Sequence, residues 1–123
     1  MALSCLIVDD NAGFLDAARQ LLERQGITVA GVASTGDEAL ERALALRPDV
    51  TLIDIDLGDE SGFDVARRLT GAAGLEDVRV VLISMYAEKD FTDVIAASPA
   101  VGFVSKPSLS ATAIHKVLSA ADA

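Results

Sequence analysis

The stretch Val50-Thr51-Leu52-Ile53-Asp54-Ile55-Asp56-Leu57-Gly58 decides how the rest of the chain is read. Four apolar or β-branched residues lead into the carboxylate of Asp54, and the turn residues Gly58-Asp59-Glu60-Ser61-Gly62 follow. An apolar run of this length closed by turn residues reads as a strand buried on both faces of a parallel sheet. Asp54 then stands at the carboxyl end of that strand, the edge where open α/β sheets place their ligand sites. A carboxylate there stays ionised when a cation is near, and it can then act as a nucleophile. The same residue would serve equally well as a cap on the following turn, so its neighbours must decide between the two.

Upstream, Leu3 to Val8 is an apolar strand that ends in Asp9-Asp10-Asn11. A helix from Ala12 to Gln25 follows, with Phe14, Ala17, Ala18, Leu21 and Leu22 spaced along one face, and Gly26 ends it. Ile27 to Val32 is a second strand. Thr35 and Glu38 form a capping box opening a helix that turns Ala39, Leu40, Ala43 and Leu44 inward and stops before Pro48. Downstream of Asp54, Ser61 caps a helix whose inner face is Val65, Ala66, Leu69 and Ala73. Val78 to Ile83 is a fourth strand ending in Ser84, and a short helix around Asp90 to Ala97 carries Phe91, Val94 and Ile95. Val101 to Val104 is a fifth strand running into Ser105-Lys106-Pro107, and a last helix, Leu109 to Ala120, buries Ile114, Val117 and Leu118. Strands that alternate with helices imply right-handed crossovers and a parallel sheet covered on both faces, with residues 1–123 as a single domain.

Composition agrees. Half the residues are apolar but only five are aromatic, which suits close helix-on-sheet packing. No apolar run approaches the roughly 20 residues a membrane span needs, and the N-terminus lacks the basic segment of a signal peptide. Cys5, the sole cysteine, lies in the first strand and reads as a buried, inert thiol. These features fit the cytoplasm. The net charge of −9 disfavours direct nucleic-acid or membrane binding by this domain. His115, the only histidine, falls among solvent-facing positions with no base or ligand beside it.

In a parallel sheet all carboxyl ends share one edge, so Asp9, Asp10, Asp54, Ser84 and Lys106 converge. Three carboxylates at close range repel unless a cation intervenes, and an all-oxygen set with open positions suits Mg2+. Lys106 and the Ser84 hydroxyl are then donors in want of an acceptor, which a phosphoryl group supplies.

Together, Asp9-Asp10, Asp54-Ile55-Asp56-Leu57 with Gly62 eight residues past Asp54, Leu82-Ile83-Ser84 and Phe103-Val104-Ser105-Lys106-Pro107 resemble the receiver (CheY-like) domain of bacterial two-component response regulators. The match runs along the whole chain, and intervals of 44, 30 and 22 residues between Asp10, Asp54, Ser84 and Lys106 are of the family's kind. The resemblance implies a three-layer, doubly wound, flavodoxin-like α/β fold with a five-stranded parallel sheet of order 2-1-3-4-5. It implies a phosphorylation-activated switch whose Asp54 takes a phosphoryl group from a sensor histidine kinase or phosphotransfer protein, catalysing its own phosphorylation and dephosphorylation rather than acting on free metabolites. Asp10 and Asp54 would ligate Mg2+ directly, the Asp56 carbonyl would be a third ligand, and Asp9 would act through water. Lys106 would pair with a phosphoryl oxygen, Ser84 would swing to bond another, and Phe103 would change rotamer into the space Ser84 vacates. Without the resemblance Phe103 reads as an aromatic core plug. The Lys106-Pro107 bond is often cis in the family, aiming the lysine inward. Gly102 to Lys106 and Leu109-Ser110-Ala111 are similar to receivers attached to LuxR-type helix-turn-helix domains, which makes such an output domain an expected partner.

The sequence departs from the family at Gly58, where proline is common, and at Met85, where a small residue is usual. Asp56 adds a fourth carboxylate and Tyr86 a large neighbour. Two rivals remain. Asp54-Ile55-Asp56 before a turn also suits a haloacid-dehalogenase-type phosphohydrolase, although that motif follows the first strand there. A receiver-like interaction module that is never phosphorylated is the other, weakened because no site residue is missing. A flavodoxin-like cofactor carrier is disfavoured, since no Ser/Thr/Gly-rich phosphate loop follows the first strand.

Overall fold

A computed structural model describes residues 3–86 and 88–122. Five strands, β1 (Ser4–Val8), β2 (Thr28–Ala33), β3 (Val50–Asp54), β6 (Arg79–Ser84) and β7 (Gly102–Ser105), form one parallel sheet in the order β2-β1-β3-β6-β7. This is the expected order; only the labels shift, because two short antiparallel strands, β4 (Asp56–Leu57) and β5 (Glu60–Ser61), close a hairpin after β3 that the sequence did not announce.

The strand period of two sorts the apolar side chains onto two faces. Cys5 and Ile7, Val50 and Leu52, and Val81 and Ile83 face helices α1 (Ala12–Arg24) and α5 (Ala111–Asp122). Leu6 and Val8, Ile53, and Val80 and Leu82 face α2 (Gly36–Leu46) and α3 (Gly62–Thr70). Each fully buried Leu, Ile or Val contributes about 1.5–3 kcal/mol, so the three central strands anchor both layers.

Local chemistry sets the helix ends. Asn11 caps α1 by accepting from the Phe14 amide at 3.0 Å, and Thr35 caps α2 by accepting from the Glu38 amide at 3.1 Å. The last helix starts at Ala111 rather than Leu109, because the Ser110 hydroxyl takes the Ala113 amide at 3.0 Å and so acts as the cap. Ala73 lies outside α3, which stops at Gly71, and it is exposed. The buried stripe of α2 is Gly36, Ala39 and Ala43; Leu40 is half-buried and Leu44 is exposed. Ala17 is likewise exposed, and α1 buries Leu15, Ala18 and Leu22. The short helix α4 (Thr92–Ala97) buries none of its own residues, and Val94 faces solvent. No described helix is long and apolar enough to cross a membrane.

Candidate functional site

The carboxyl ends of β1, β3, β6 and β7 open into a hollow of about 310 Å³ lined by Asp9, Asp10, Asn11, Asp54, Asp56, Gly58, Ser84, Met85, Tyr86 and Lys106. The fold thus brings all of the expected acidic, hydroxyl and lysine groups to one place. Carboxylate oxygens of Asp9, Asp10 and Asp54 lie within 4.8 Å of one another. Lys106 Nζ bridges two of them, 2.6 Å from Asp9 Oδ2 and 2.9 Å from Asp54 Oδ2.

Each group is held by the turn that carries it. Asp9 Oδ1 accepts from the Asn11 amide at 2.8 Å, and the Asp9 amide donates to the Ala33 carbonyl at 3.0 Å. Asp54 Oδ1 accepts from the Asp56 amide at 3.1 Å, which tucks the carboxylate under the first turn after β3. The Gly62 amide donates to the Ile55 carbonyl at 2.7 Å, and a Cβ at position 62 would stand 2.0 Å from the Asp54 carbonyl oxygen. Glycine at 62 is therefore a condition for placing Asp54. Glu60, in β5, accepts from the Gly36 amide at 2.9 Å and ties the hairpin to the start of α2.

Asp56 reaches the rim, but its carboxylate accepts from the Gly58 amide at 3.1 Å and stands outside the three-carboxylate group. The Ser84 hydroxyl accepts from the Tyr86 amide at 3.1 Å and lines the hollow. Phe103 does not line it. Phe103 is buried on the α2–α3 side of the sheet, with its ring centroid 6.5 Å from that of Phe91. Met85 and Tyr86 stand exposed at the mouth, each 66% accessible. The Lys106-Pro107 peptide is trans, contrary to expectation. Lys106–Ser108 form a short 3-10 turn in which proline takes an early position, where its missing N–H leaves no bond unmade, and this turn aims the lysine inward.

Burial pushes the Asp54 carboxyl above the usual carboxylate range; Lys106 and the Asp56 amide pull the other way, and Asp9 adds to the rise. Burial works against the Lys106 ammonium too, but bonds to Asp9 and Asp54 outweigh it and hold the lysine above its ordinary value. Asp9 is wholly buried, and its Oδ2 has no aligned hydrogen-bond donor besides the ion-pair contact with Lys106. A buried carboxylate oxygen in that state, beside two more hard oxygen donors, fits a divalent cation of the Mg2+ kind.

One site residue escaped the sequence reading. Its spacing along α1 reads Phe14 as one of a row of core-facing residues, yet Lys106 Nζ lies 4.3 Å from its ring centroid. Its place in the first turn after the acidic pair was the available signal.

Residues 5–119 match the response regulator receiver domain family. Protein-glutamate methylesterase/protein-glutamine glutaminase 5 of Myxococcus xanthus is 38% identical over 109 residues, covering 87% of this chain and 31% of that protein. Among solved structures, the response regulator domain of Thermotoga maritima CheB superposes with a TM-score of 0.80 at 27% identity, covering 100% of this chain and 98% of the other. A Burkholderia pseudomallei response regulator solved with a phosphorylated aspartic acid and a calcium ion gives a TM-score of 0.81 at 26% identity, covering 98% and 69%. The chain spans about a third to a half of the length of the curated relatives it matches first. The phosphohydrolase alternative finds no support, and its aspartate motif belongs after the first strand of a sheet whereas Asp54 ends β3. With its acidic hollow, its strand order and its matched residues in agreement, the chain belongs to the response regulator receiver domain family, the phosphorylation-activated switches of two-component systems.

Proposed function

We propose that Asp54 is the phosphoacceptor of this switch, and that its donor is a phosphohistidine on a sensor kinase or phosphotransfer protein in the cytoplasm. The observation that carries the reading is the convergence of Asp9, Asp10 and Asp54 within 4.8 Å with Lys106 bridging two of them. An Asp54 oxygen attacks phosphorus; the new O–P bond forms as the P–N bond breaks, the departing nitrogen keeps the bonding pair, and the ring, protonated on its other nitrogen, leaves as neutral imidazole. Asp9, Asp10 and Asp54, with the carbonyl of Asp56, would hold Mg2+, whose chemistry is to neutralise charge on the phosphoryl oxygens. Lys106 moves from the Asp54 carboxylate to a phosphoryl oxygen, and Ser84 supplies a second donor. Ser84 and Phe103 lie on neighbouring strands, Ser84 paired with Ser105 and Phe103 with Leu82, so movement of the hydroxyl opens room for the ring. The face of α4, β7 and α5 then carries the output, to a LuxR-type domain or another effector.

Intact mass after incubation with acetyl phosphate and Mg2+ tests the site: one phosphoryl group is gained by the wild type and none by Asp54→Asn. Equal labelling of that variant defeats the assignment, and multiple turnover of p-nitrophenyl phosphate would restore the phosphohydrolase.

A further inference from the structure

We infer that Phe14 is a positioning residue for phosphoryl transfer, its ring forming the third wall of a cage that holds the Lys106 ammonium against Asp9 and Asp54. The inference rests on the phosphoacceptor reading above and assigns a role to a residue outside the carboxylate, hydroxyl and lysine set.

An ammonium has three N–H donors and no acceptor. The Lys106 side chain is only 9% accessible, so water is a poor source of partners. Two directions are taken by Asp9 Oδ2 at 2.6 Å and Asp54 Oδ2 at 2.9 Å. The Phe14 ring, 4.3 Å from Nζ to centroid, faces the ammonium as well, within the distance at which an aromatic face attracts a cation. A buried charge left short of a partner is costly, and the ring face offers an acceptor that brings no further negative charge into an already acidic hollow.

The cage is built by one turn. Asn11 donates its amide to Asp9 Oδ1 at 2.8 Å and accepts the Phe14 amide on its own Oδ1 at 3.0 Å. Carboxylate wall and aromatic wall are thereby set in register by a single residue. The two walls differ during turnover. On phosphorylation Asp54 loses its free carboxylate, and a cation held by the three aspartates would draw on Asp9 as well. The Phe14 face keeps its charge distribution throughout, so it holds the ammonium on target while the other partners change.

The experiment uses the whole chain with graded ring chemistry at position 14: Phe14→Leu, Phe14→Tyr, and mono-, di- and trifluorophenylalanine at the same position. Two readouts are taken, the initial rate of acetyl-phosphate labelling with Mg2+ and the ring-current shift of the Lys106 methylene protons by NMR. Labelling is expected to fall stepwise with fluorination, to about three- to tenfold below wild type for the trifluoro ring and for Leu, with Tyr close to wild type. The thermal midpoint of the fluorinated forms stays with wild type, since their volume barely changes. Labelling that ignores fluorination, or Phe14→Leu labelling at the wild-type rate, overturns the inference. Absence of labelling in the wild type would instead defeat the phosphoacceptor reading. The upfield Lys106 methylene shift, present in wild type and lost in Phe14→Leu, then stands as the measure of the cage, and its absence from wild type overturns it.

Discussion

Replacing Gly62 by alanine tests how tightly the acceptor's backbone is fixed. The added Cβ would meet the Asp54 carbonyl oxygen at 2.0 Å, its carbon at 2.8 Å and Ile55 Cα at 2.8 Å, whereas such contacts under 3.0 Å are essentially never seen. All three are backbone atoms, so no side-chain rotation relieves the clash, and the start of α3 must separate from the end of β3 by about 1 Å. That movement breaks the bond of 2.7 Å between the Gly62 amide and the Ile55 carbonyl. Overpacking costs about 1–3 kcal/mol and the lost bond about 1 kcal/mol, so the variant should be less stable by about 2–4 kcal/mol. With urea m-values of about 1–3 kcal/mol/M for small proteins, the unfolding midpoint falls by about 0.7–4 M. Circular dichroism in urea measures this, and the initial rate of acetyl-phosphate labelling reports the displacement of Asp54 in whatever fraction stays folded. Gly102→Ala is the control. There the Cβ meets only side-chain atoms of Val117, Cγ1 nearest; a helical valine is stiff at χ1, so the cost is again about 1–3 kcal/mol, but the strain falls at the start of β7 and leaves the Asp54 backbone in place, so the folded fraction labels at the wild-type rate. A Gly62→Ala chain with an unchanged midpoint and normal labelling would refute the close-approach argument, as would an equal loss of labelling in folded Gly102→Ala.

Four further outcomes are expected. Asp10→Ala abolishes both Mg2+-dependent stabilisation in thermal melts and phosphoryl labelling, and labelling that survives in EDTA contradicts the charge argument. Thr51→Val raises stability by about 1 kcal/mol in urea melts, because the Thr51 hydroxyl is buried with no hydrogen-bond partner among the described residues. Met85→Ala combined with Tyr86→Ala speeds loss of the phosphoryl group severalfold by mass spectrometry, since both side chains stand over the mouth where water must enter; a longer lifetime would give Tyr86 a water-orienting role instead. Burial pushes the Cys5 thiol up to about 12, so its contribution is complete below the unfolded thiol value and lost as pH rises from there through the folded one. Alkaline titration of stability should therefore fall by up to about 1.4 kcal/mol per pH unit more steeply than in Cys5→Ala, and parallel curves for the two chains would contradict it.

Residue patterns alone determined the layered α/β fold and the edge where its chemistry lies. The unbroken apolar run Cys5 to Val8, another before Asp54 and amphipathic stretches between strands are local consequences of side-chain burial, and a parallel sheet necessarily gathers its strand ends. Asp9, Asp10, Asp54, Ser84 and Lys106 were legible for that reason, each being the first polar residue beyond an apolar run or close to it. Tertiary packing decided the rest. Whether Lys106 paired with Asp54 alone or also with Asp9 depended on the separation of β1, β3 and β7, and the answer was both. That Phe14 meets the lysine as well as the core depends on bringing the first turn of α1 beside the end of β7, a contact between segments some ninety residues apart. Leu44 and Val94 turn outward although each sits at an inward position by helical spacing, and periodicity cannot report which apolar residues of a stripe find a partner. Gly62 was visible as a spaced glycine, but its reason, a backbone oxygen where a Cβ would stand, exists only once α3 is folded back against β3. Spacing along the chain sets which groups can meet at an edge; distances of a few ångströms between segments tens of residues apart are set by packing, and those distances select each ammonium's partners and each carboxylate's charge.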